Sequence, residues 1–150
     1  MKPLYVLNGP NLNRLGRREP AIYGTTTLAE IEASCRAAAG EREVIFRQSN
    51  SEETLIELVH EAIDSGAGIL INPAAFTFTS LALLDALKMF EGPVIELHIS
   101  NIHKREPIYH RSYVSMRADA VIAGLGAHGY EVAVKALLRL IGTRQEGATS

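Results

Sequence analysis

The chain alternates short apolar runs, rich in β-branched residues, with longer segments in which apolar side chains recur at helical spacing. The apolar runs predict five strands, at Leu4–Asn8, Glu43–Arg47, Gly68–Asn72, Val94–Leu97 and Ala120–Ala123. Most of these runs are continuously apolar rather than alternating, which is typical of strands buried on both faces of a parallel sheet.

Four helices are predicted between and after the strands, at Leu28–Ala39, Glu52–Ser65, Leu81–Phe90 and about Ala127–Ile141. Thr27, Ser51 and either Thr79 or Ser80 can cap the first three helices by accepting hydrogen bonds from their free N–H groups. The polar residues 143–150 predict a frayed, flexible tail. Strands that alternate with helices indicate an α/β fold with an open, doubly wound parallel sheet.

Length and composition fit a single domain covering residues 1–150, with 47% hydrophobic and 21% charged residues. A net charge of −2 provides no general attraction for nucleic acid or an anionic membrane. No apolar run approaches the roughly 18 to 20 residues of a membrane span, and no signal-peptide pattern opens the chain, so we expect a cytoplasmic protein. Cys35, the one cysteine, is expected to be a buried hydrophobe.

Two long connections, 9–26 and 98–119, interrupt the alternation of strands and helices. Connections of this length are usually functional or disordered. In doubly wound sheets, ligands bind beyond the carboxyl ends of the strands. Polar residues follow three of the predicted strands directly, at Asn8–Asn11, Asn72–Pro73 and His98–Ser100. We therefore expect the functional site at this edge of the sheet.

The first long connection contains one tyrosine, Tyr23, and three arginines, Arg14, Arg17 and Arg18. A tyrosine, with an ordinary pKa of about 10, is a poor base at neutral pH unless neighbouring cations favour its phenolate. The three guanidinium groups could supply that field. The alternative is a solvated basic loop in which Tyr23 only packs at the edge, and the residues alone do not decide between the two.

A second cluster surrounds the end of the fourth strand. Glu96 would be a charge inside a buried strand, so it needs a partner, and a nearby histidine or arginine is plausible. His98 would then be a positioned general acid or base, although a structural histidine with satisfied hydrogen bonds is the plainer alternative. The spacings of His98, His103 and His110 match no familiar metal-ligand pattern, so no metal is expected.

The segment Gly124–Gly129 spells G-x-G-x-x-G between a strand and a helix. It follows the last predicted strand, so no second strand remains to complete a nucleotide-binding βαβ unit. Tight turning and close packing of the helix on the sheet explain these glycines, and nucleotide binding is not expected.

Taken together, the motifs resemble the type II 3-dehydroquinate dehydratases over nearly the whole chain, from Leu7 to about Leu138. The matching segments, in family order, are Leu7–Asn13, Leu15-Gly16, Arg18–Pro20, Tyr23-Gly24, Gln48–Asn50, Ile71–Pro73, Glu96–Asn101 and Gly124–Gly126. The resemblance implies a flavodoxin-like, three-layer α/β/α fold, usually assembled as a dodecamer of four trimers, with no metal or organic cofactor. It also implies dehydration of 3-dehydroquinate to 3-dehydroshikimate through an enolate.

The resemblance assigns roles residue by residue. Tyr23 is the base that removes a proton beside the ketone, and Arg18 keeps it ionisable. Asn11 helps to hold the enolate. His98 protonates the departing hydroxyl and Glu96 orients it.

Further residues are implied in substrate binding. Asn72 and the segment Ile99–Ser100 bind the substrate carboxylate. Asp85 matches a residue that reaches the site of a neighbouring subunit.

Two positions depart from the family pattern. The usual Thr-His-Thr-Ser reads Thr77–Ser80 here, with Phe78 in place of histidine, and Tyr109 stands where an arginine is usual. Both missing groups contact substrate ring hydroxyls in the family. Their loss is expected to weaken turnover, unless Arg111 or Tyr109 substitutes for them. Three hypotheses stay open: 3-dehydroquinate is the substrate, a related polyhydroxy keto acid is the substrate, or the chain is a non-catalytic assembly protein.

Overall fold

The computed structural model describes residues 1–149 and contains one five-stranded, all-parallel sheet. The strands are β1 (Leu4–Asn8), β2 (Val44–Gln48), β3 (Gly68–Asn72), β4 (Val94–His98) and β5 (Ala120–Ala123), in the spatial order β2-β1-β3-β4-β5. Three strands have the predicted bounds, β2 is shifted by one residue and β4 extends to His98. The predicted doubly wound, flavodoxin-like sheet is confirmed.

Five helices accompany the sheet: α1 (Pro20–Tyr23), α2 (Leu28–Ala39), α3 (Glu52–Ser65), α4 (Leu81–Lys88) and α5 (His128–Thr149). Helices α2 and α5 cover one face, where Ile31 and Leu137 pack on Val6 and Leu70. Helices α3 and α4 cover the other face through a second buried cluster. Two apolar layers on either side of one sheet give the three-layer arrangement. No helix within the described residues is long and apolar enough to cross a membrane.

Hydroxyl side chains begin three of the helices, as the sequence indicates. Thr27 accepts a hydrogen bond from the Glu30 N–H at 3.2 Å, and Ser51 accepts one from the Thr54 N–H at 3.2 Å. Ser80, rather than Thr79, caps α4 by accepting from the Leu83 N–H at 2.9 Å. Each cap satisfies an N–H group that has no partner inside its helix.

Helix α4 ends at Lys88, two residues before its predicted end at Phe90. The N–H groups of Met89 and Phe90 bond to carbonyls three residues back, which tightens the last turn. The Arg117 guanidinium caps this end of the helix, because it donates hydrogen bonds to the carbonyl oxygens of Leu87, Phe90 and Gly92. A side chain from a distant segment therefore decides where this helix ends.

Helix α5 continues to Thr149, so its predicted end before Gly142 is wrong. The fraying expected from Thr143 onward stays a prediction. A glycine inside a helix costs only about 1 kcal/mol relative to alanine, which local contacts can offset. Arg144 supplies such contacts, since it donates to the Glu91 carbonyl at 2.9 Å and lies 3.1 Å from an Asp119 carboxylate oxygen. Ser150, the last residue of the predicted tail, lies outside the described residues.

Both long connections contain short helical turns that the sequence pattern did not predict. The first holds a 3₁₀ turn at Leu12–Arg14 and the four-residue helix α1. The second holds three 3₁₀ turns, at Ile102–Lys104, Pro107–Tyr109 and Val114–Met116. Both connections leave the carboxyl edge of the sheet, which concentrates their side chains at one end of the molecule.

Candidate active site

The carboxyl ends of β1 and β3 meet in close contact at Gly9. A Cβ atom on Gly9 would lie 2.3 Å from the Pro73 carbonyl oxygen, so this position accepts no other residue without a backbone shift. The Gly9 N–H donates to the Asn72 carbonyl at 2.8 Å, which ties the two strand ends together. This contact brings Asn11 and Asn72 to the same cavity.

Asn11 has a left-handed backbone with φ 71°, which asparagine tolerates better than most residues. Its N–H donates to Asn50 Oδ1 at 2.9 Å, and the Gln48 side-chain amide donates to the same oxygen at 3.1 Å. The Gln48 amide also donates to the Gly9 carbonyl at 3.1 Å. The Gln48–Asn50 motif thus holds the start of the first connection in place.

A cavity of about 110 Å³ opens between the two long connections. The structure brings nine of the twelve predicted site residues to its wall: Asn11, Arg18, Tyr23, Asn72, Phe78, His98, Ile99, Ser100 and Tyr109. Tyr23 and His98, the two residues expected to move protons, therefore face the same space.

Tyr23 is the last residue of α1 and lies half-buried among arginines. The Arg18 guanidinium carbon lies 4.5 Å from the centre of the Tyr23 ring. Arg105 Nη1 donates to the Tyr23 hydroxyl oxygen at 3.2 Å. Two guanidinium groups therefore lie in direct contact with the Tyr23 phenol. Arg14 and Arg17, by contrast, are exposed and line only a shallow neighbouring depression.

Arg105 is a residue that the sequence analysis missed. It lines the cavity, bonds to Tyr23 and stacks over the Tyr109 ring, with its guanidinium carbon 4.1 Å from the ring centre. It lies 82 residues from Tyr23 in the chain, so no local spacing rule could link the two. Its place in a histidine- and arginine-rich turn was the only signal available.

Glu96 and His98 form a buried pair at the end of β4. Glu96 Oε2 lies 2.5 Å from His98 Nε2, and the Ser115 and Ser112 hydroxyls donate to the carboxylate at 2.6 and 3.0 Å. Burial alone would raise the pKa of Glu96, but the hydrogen bonds from His98 and the serines outweigh it and hold that pKa below its usual range. Glu96 is therefore a carboxylate that orients the His98 ring.

The two departures from the family pattern lie inside the cavity. The Phe78 ring stacks on the His98 ring with centroids 6.1 Å apart and planes at 24°. The Tyr109 ring meets Phe78 edge-on at 5.3 Å. These aromatic rings form an apolar wall beside the histidine, where the family would place two cationic or polar side chains.

Asp85, Arg111 and Glu96 are the predicted site residues that do not line the cavity. Glu96 lies behind His98. Asp85 is exposed on α4, and its expected reach toward another subunit stays a prediction. Arg111 is exposed and lies over the Tyr113 ring at 5.9 Å, so the guanidinium beside Tyr109 in the cavity wall is Arg105 instead.

The other histidines of the second connection, His103 and His110, stabilise its conformation. His110 Nε2 donates to the Arg105 carbonyl at 2.6 Å, which holds the turn that carries Arg105. The His103 and His110 rings lie 6.3 Å apart. Among residues 1–149, no group of three or more His, Cys, Asp or Glu side chains is placed to hold a metal ion.

The glycine segment after β5 has a packing role, as the sequence analysis favours. Gly124 and Gly126 have φ of 91° and 63°, and a Cβ on Gly129 would lie 3.0 Å from a Leu97 methyl group. The Gly124 and Gly126 N–H groups donate to the carbonyls of His98 and Ile99, at 3.2 and 3.0 Å. The segment therefore fixes the backbone that carries the catalytic histidine candidate.

A larger cavity of about 620 Å³ opens at the opposite, amino end of the strands. Its guanidinium groups are already engaged, because Arg42 donates to the Lys2 carbonyl and Arg144 to the Glu91 carbonyl. Size alone would favour this cavity, but the acid and base candidates lie in the smaller one. We therefore assign the functional site to the cavity at the carboxyl edge.

Comparison with known proteins agrees with this geometry. The model of the family "Dehydroquinase class II" matches residues 2–138. A protein of Agrobacterium fabrum named 3-dehydroquinate dehydratase 2 is 62% identical over 138 residues, which cover 90% of this chain and 93% of that protein. A Streptomyces coelicolor 3-dehydroquinate dehydratase is 55% identical, with 93% of this chain and 91% of that protein covered. The crystal structure of a type II dehydroquinase from Propionibacterium acnes superposes with a TM-score of 0.87 at 47% identity, covering 91% of this chain and 96% of that one.

A doubly wound sheet with a tyrosine and a carboxylate-backed histidine at its carboxyl edge defines an α/β enzyme of the acid–base type. The chain belongs to the class II dehydroquinase family. The resemblance that its motifs indicate is thereby confirmed.

The Glu96 carboxylate should make the stability of the protein depend on pH. Because its pKa is lower in the folded than in the unfolded state, its contribution is present above the ordinary carboxyl pKa of about 4.3 and is lost as the pH falls through the folded value. Urea denaturation between pH 7 and 3 should therefore show a steeper loss for the wild type than for Glu96→Gln. Glu57→Gln, an exposed control on α3, should follow the wild type. Parallel curves for wild type and Glu96→Gln would contradict this assignment.

Proposed function

We propose that this chain catalyses the dehydration of 3-dehydroquinate to 3-dehydroshikimate through an enolate. The observation that carries the proposal is that Tyr23, flanked by two guanidinium groups, and His98, backed by buried Glu96, line one cavity. The names of the relatives at 55 to 62% identity support the same reaction. The proposed steps use side chains of this chain and no metal or organic cofactor.

Tyr23 is the proposed base that removes the proton beside the ketone. A phenolate can do this near neutral pH only if positive charge stabilises it. Arg18 lies over its ring and Arg105 donates to its oxygen, so positive charge faces the phenol from two sides. We add Arg105 to the family-derived set for this reason.

The enolate that forms next carries negative charge on the former ketone oxygen, and its stability decides whether the proton can be removed at all. Asn11 is the proposed donor toward that oxygen, through a water molecule. Its backbone N–H is held by Asn50, which keeps the residue at the cavity wall. The connection that carries Tyr23 and Arg18 would exclude bulk water when it closes over the ligand.

His98 is the proposed acid that protonates the departing hydroxyl. Its Nε2 is engaged by Glu96, so Nδ1 is the ring nitrogen that can serve the ligand. The buried carboxylate fixes the orientation of the ring. The base and the acid belong to different segments of the chain, which suits an elimination in which the proton and the hydroxyl leave opposite faces of the ring.

The substrate carboxylate is proposed to bind Asn72 and the segment Ile99–Ser100. Asn72 lies at the end of β3 and Ser100 just beyond β4, so the anion would sit between adjacent strand ends. The Ile99 backbone is held by its bond from the Gly126 N–H. These groups are neutral donors to a charged acceptor, and each such hydrogen bond contributes about 1.5 to 3 kcal/mol.

Loss of the Tyr23 hydroxyl should strongly slow the reaction. With 3-dehydroquinate, the ultraviolet absorbance of the conjugated product should rise for the wild type, and Tyr23→Phe should lower kcat by about 10² to 10⁴-fold, the usual contribution of a general base. Tyr113→Phe, outside the cavity, should keep the wild-type rate. Unchanged turnover in Tyr23→Phe would contradict the mechanism. If the wild type turned over none of a panel of keto acids, the non-catalytic hypothesis would be favoured.

A second candidate substrate is a related polyhydroxy keto acid with fewer polar contacts on one side. The observation that favours it is the apolar wall of Phe78 and Tyr109 beside His98. A substrate hydroxyl facing this wall would lose a hydrogen bond worth about 1.5 to 3 kcal/mol when the donor is charged. The same acid and base would serve such a substrate, with Arg105 as the remaining cation on that side.

Restoring the family residues distinguishes the two substrates. If the apolar wall limits the reaction, Phe78→His with Tyr109→Arg should raise kcat/KM for 3-dehydroquinate by about tenfold or more, as expected for a regained charged hydrogen bond. Ile108→Arg, which adds the same charge at an exposed neighbouring position, should not. A double variant with no gain would count against this role for Phe78 and Tyr109.

Assembly and location follow from the family resemblance. We propose a cytoplasmic homododecamer, a tetramer of trimers, that serves the shikimate pathway or the catabolism of quinate. The exposure of Asp85 on α4 supports a role that requires a neighbouring subunit, since it lies outside the cavity of its own chain.

Light scattering after size-exclusion chromatography checks the assembly, with an expected mass near twelve times 16.3 kDa. Asp85→Asn should lower kcat/KM while the mass is unchanged, because the carboxylate would act across the subunit contact. Asp64→Asn, exposed on α3, is the matched control and should keep full activity. A fully active Asp85→Asn variant, or a monomeric wild type, would contradict this part of the proposal.

A further inference from the structure

A chain of hydrogen bonds crosses the buried carboxyl edge of the sheet and ends at Asn72, which lines the cavity. Asn8 and Asn72 are register partners on β1 and β3, so their side chains lie next to each other on the face that α5 covers. Tyr130 of α5 places its hydroxyl oxygen 2.8 Å from Asn8 Oδ1 and 2.9 Å from Asn72 Nδ2. All three side chains are buried, so their polar atoms depend on one another.

The direction of each bond in this chain is determined. Asn8 Nδ2 donates to the Arg47 carbonyl at 3.0 Å, which leaves Asn8 Oδ1 facing Tyr130. An amide oxygen can only accept, so Tyr130 gives its single proton to Asn8. The Tyr130 oxygen is then an acceptor, and it takes a proton of the Asn72 amide. Burial raises the pKa of the Tyr130 phenol above its ordinary value, so the donor proton stays in place.

The Asn72 amide is held from its other side as well. The Ala74 N–H donates to Asn72 Oδ1 at 3.2 Å, from a residue whose backbone has φ 52°. A flipped amide would place Nδ2 against this N–H, so that one donor would face another. It would also place Oδ1 against the Tyr130 oxygen, so that one acceptor would face another. Only one orientation of Asn72 is therefore compatible with its surroundings.

We infer that Tyr130 is a positioning residue for substrate binding, because it fixes the Asn72 amide so that one N–H is held for the substrate carboxylate. A side-chain amide has two protons, and Tyr130 takes one of them. Since Asn72 lines the cavity, the second proton is the donor that the ligand meets. The inference rests on the proposed function, in which Asn72 binds the carboxylate.

Tyr130→Phe removes the hydroxyl and keeps the ring that packs against the sheet. The Asn72 amide then loses the acceptor that fixes it, so binding of the carboxylate weakens. We expect KM for 3-dehydroquinate to rise about tenfold, a typical effect for one hydrogen bond to a charged group. The kcat should change less than about threefold, because Tyr23 and His98 keep their contacts.

Tyr5→Phe is the matched control. Tyr5 is a second buried tyrosine, on β1, but it belongs to the core cluster on the opposite face of the sheet. Loss of its hydroxyl should lower the stability of the protein and leave KM unchanged. A rise of KM in both variants would indicate a general structural effect and would overturn the inference.

The Asn72→Ala background tests whether Tyr130 acts through Asn72. In that background Tyr130→Phe should raise KM no further, whereas equal increases in both backgrounds would contradict the inference. So would an unchanged KM in the single variant of an active enzyme. A wild type with no turnover of 3-dehydroquinate would instead contradict the proposed function.

The wild-type enzyme offers a measurement that does not depend on the folding of a variant. In the protein labelled with ¹⁵N-asparagine, the two Asn72 side-chain protons should respond differently to added 3-dehydroshikimate. The proton that faces the cavity should shift, and the one held by Tyr130 should stay. Equal shifts of both protons, or no shift of either, would overturn the inference.

Discussion

The buried carboxylate of Glu96 is the constraint around which the functional end of the molecule is arranged. A charge with no exposed surface is tolerated only if its oxygens are satisfied, and here His98, Ser112 and Ser115 satisfy them. The two serines belong to the second long connection, so this connection must return to the sheet to reach the carboxylate. Its return also brings Arg105 and Tyr109 over the strand ends. One buried charge thus couples the strand that carries His98, the proposed acid, to the segment that completes the cavity wall.

The first long connection obeys a different constraint, which is the close approach of backbone at Gly9. Strands β1 and β3 are neighbours in a parallel sheet, and their continuations can meet only if one of them lacks a side chain. The meeting point directs the chain outward through Asn11 toward Arg18 and Tyr23. Tyr23, the proposed base, is therefore carried by the outer part of this connection, beyond the buried Leu12 and Leu15, whereas His98, the proposed acid, ends a strand of the core. Acid–base chemistry between two such elements needs no rearrangement of the sheet.

Much of this organisation could be predicted from the sequence, because burial leaves a direct pattern. Continuous apolar runs identified β1, β3 and β5 with their bounds, and hydroxyl residues marked the starts of α2 and α3. The rest depends on contacts between distant residues. Helix α1 is too short for any periodicity, and α5 passes through Gly142 because Arg144 reaches Glu91 and Asp119. Arg105 and Tyr130 were missed for the same reason, since their partners lie 82 and up to 122 residues away.

The proposed acid lies on a core strand and the proposed base on an outer segment, and this division has a consequence for how such an enzyme can diversify. Within residues 9–26, Leu12 and Leu15 are buried in the core, whereas residues 16–24, which carry Arg18 and Tyr23, contain no buried residue. Grafting this segment from a relative would change the timing of closure and the approach of the base while the histidine stays where the sheet fixes it. Natural variation in turnover speed can thus accumulate in one short, exchangeable stretch, and the scaffold that supports the leaving-group chemistry need not be altered.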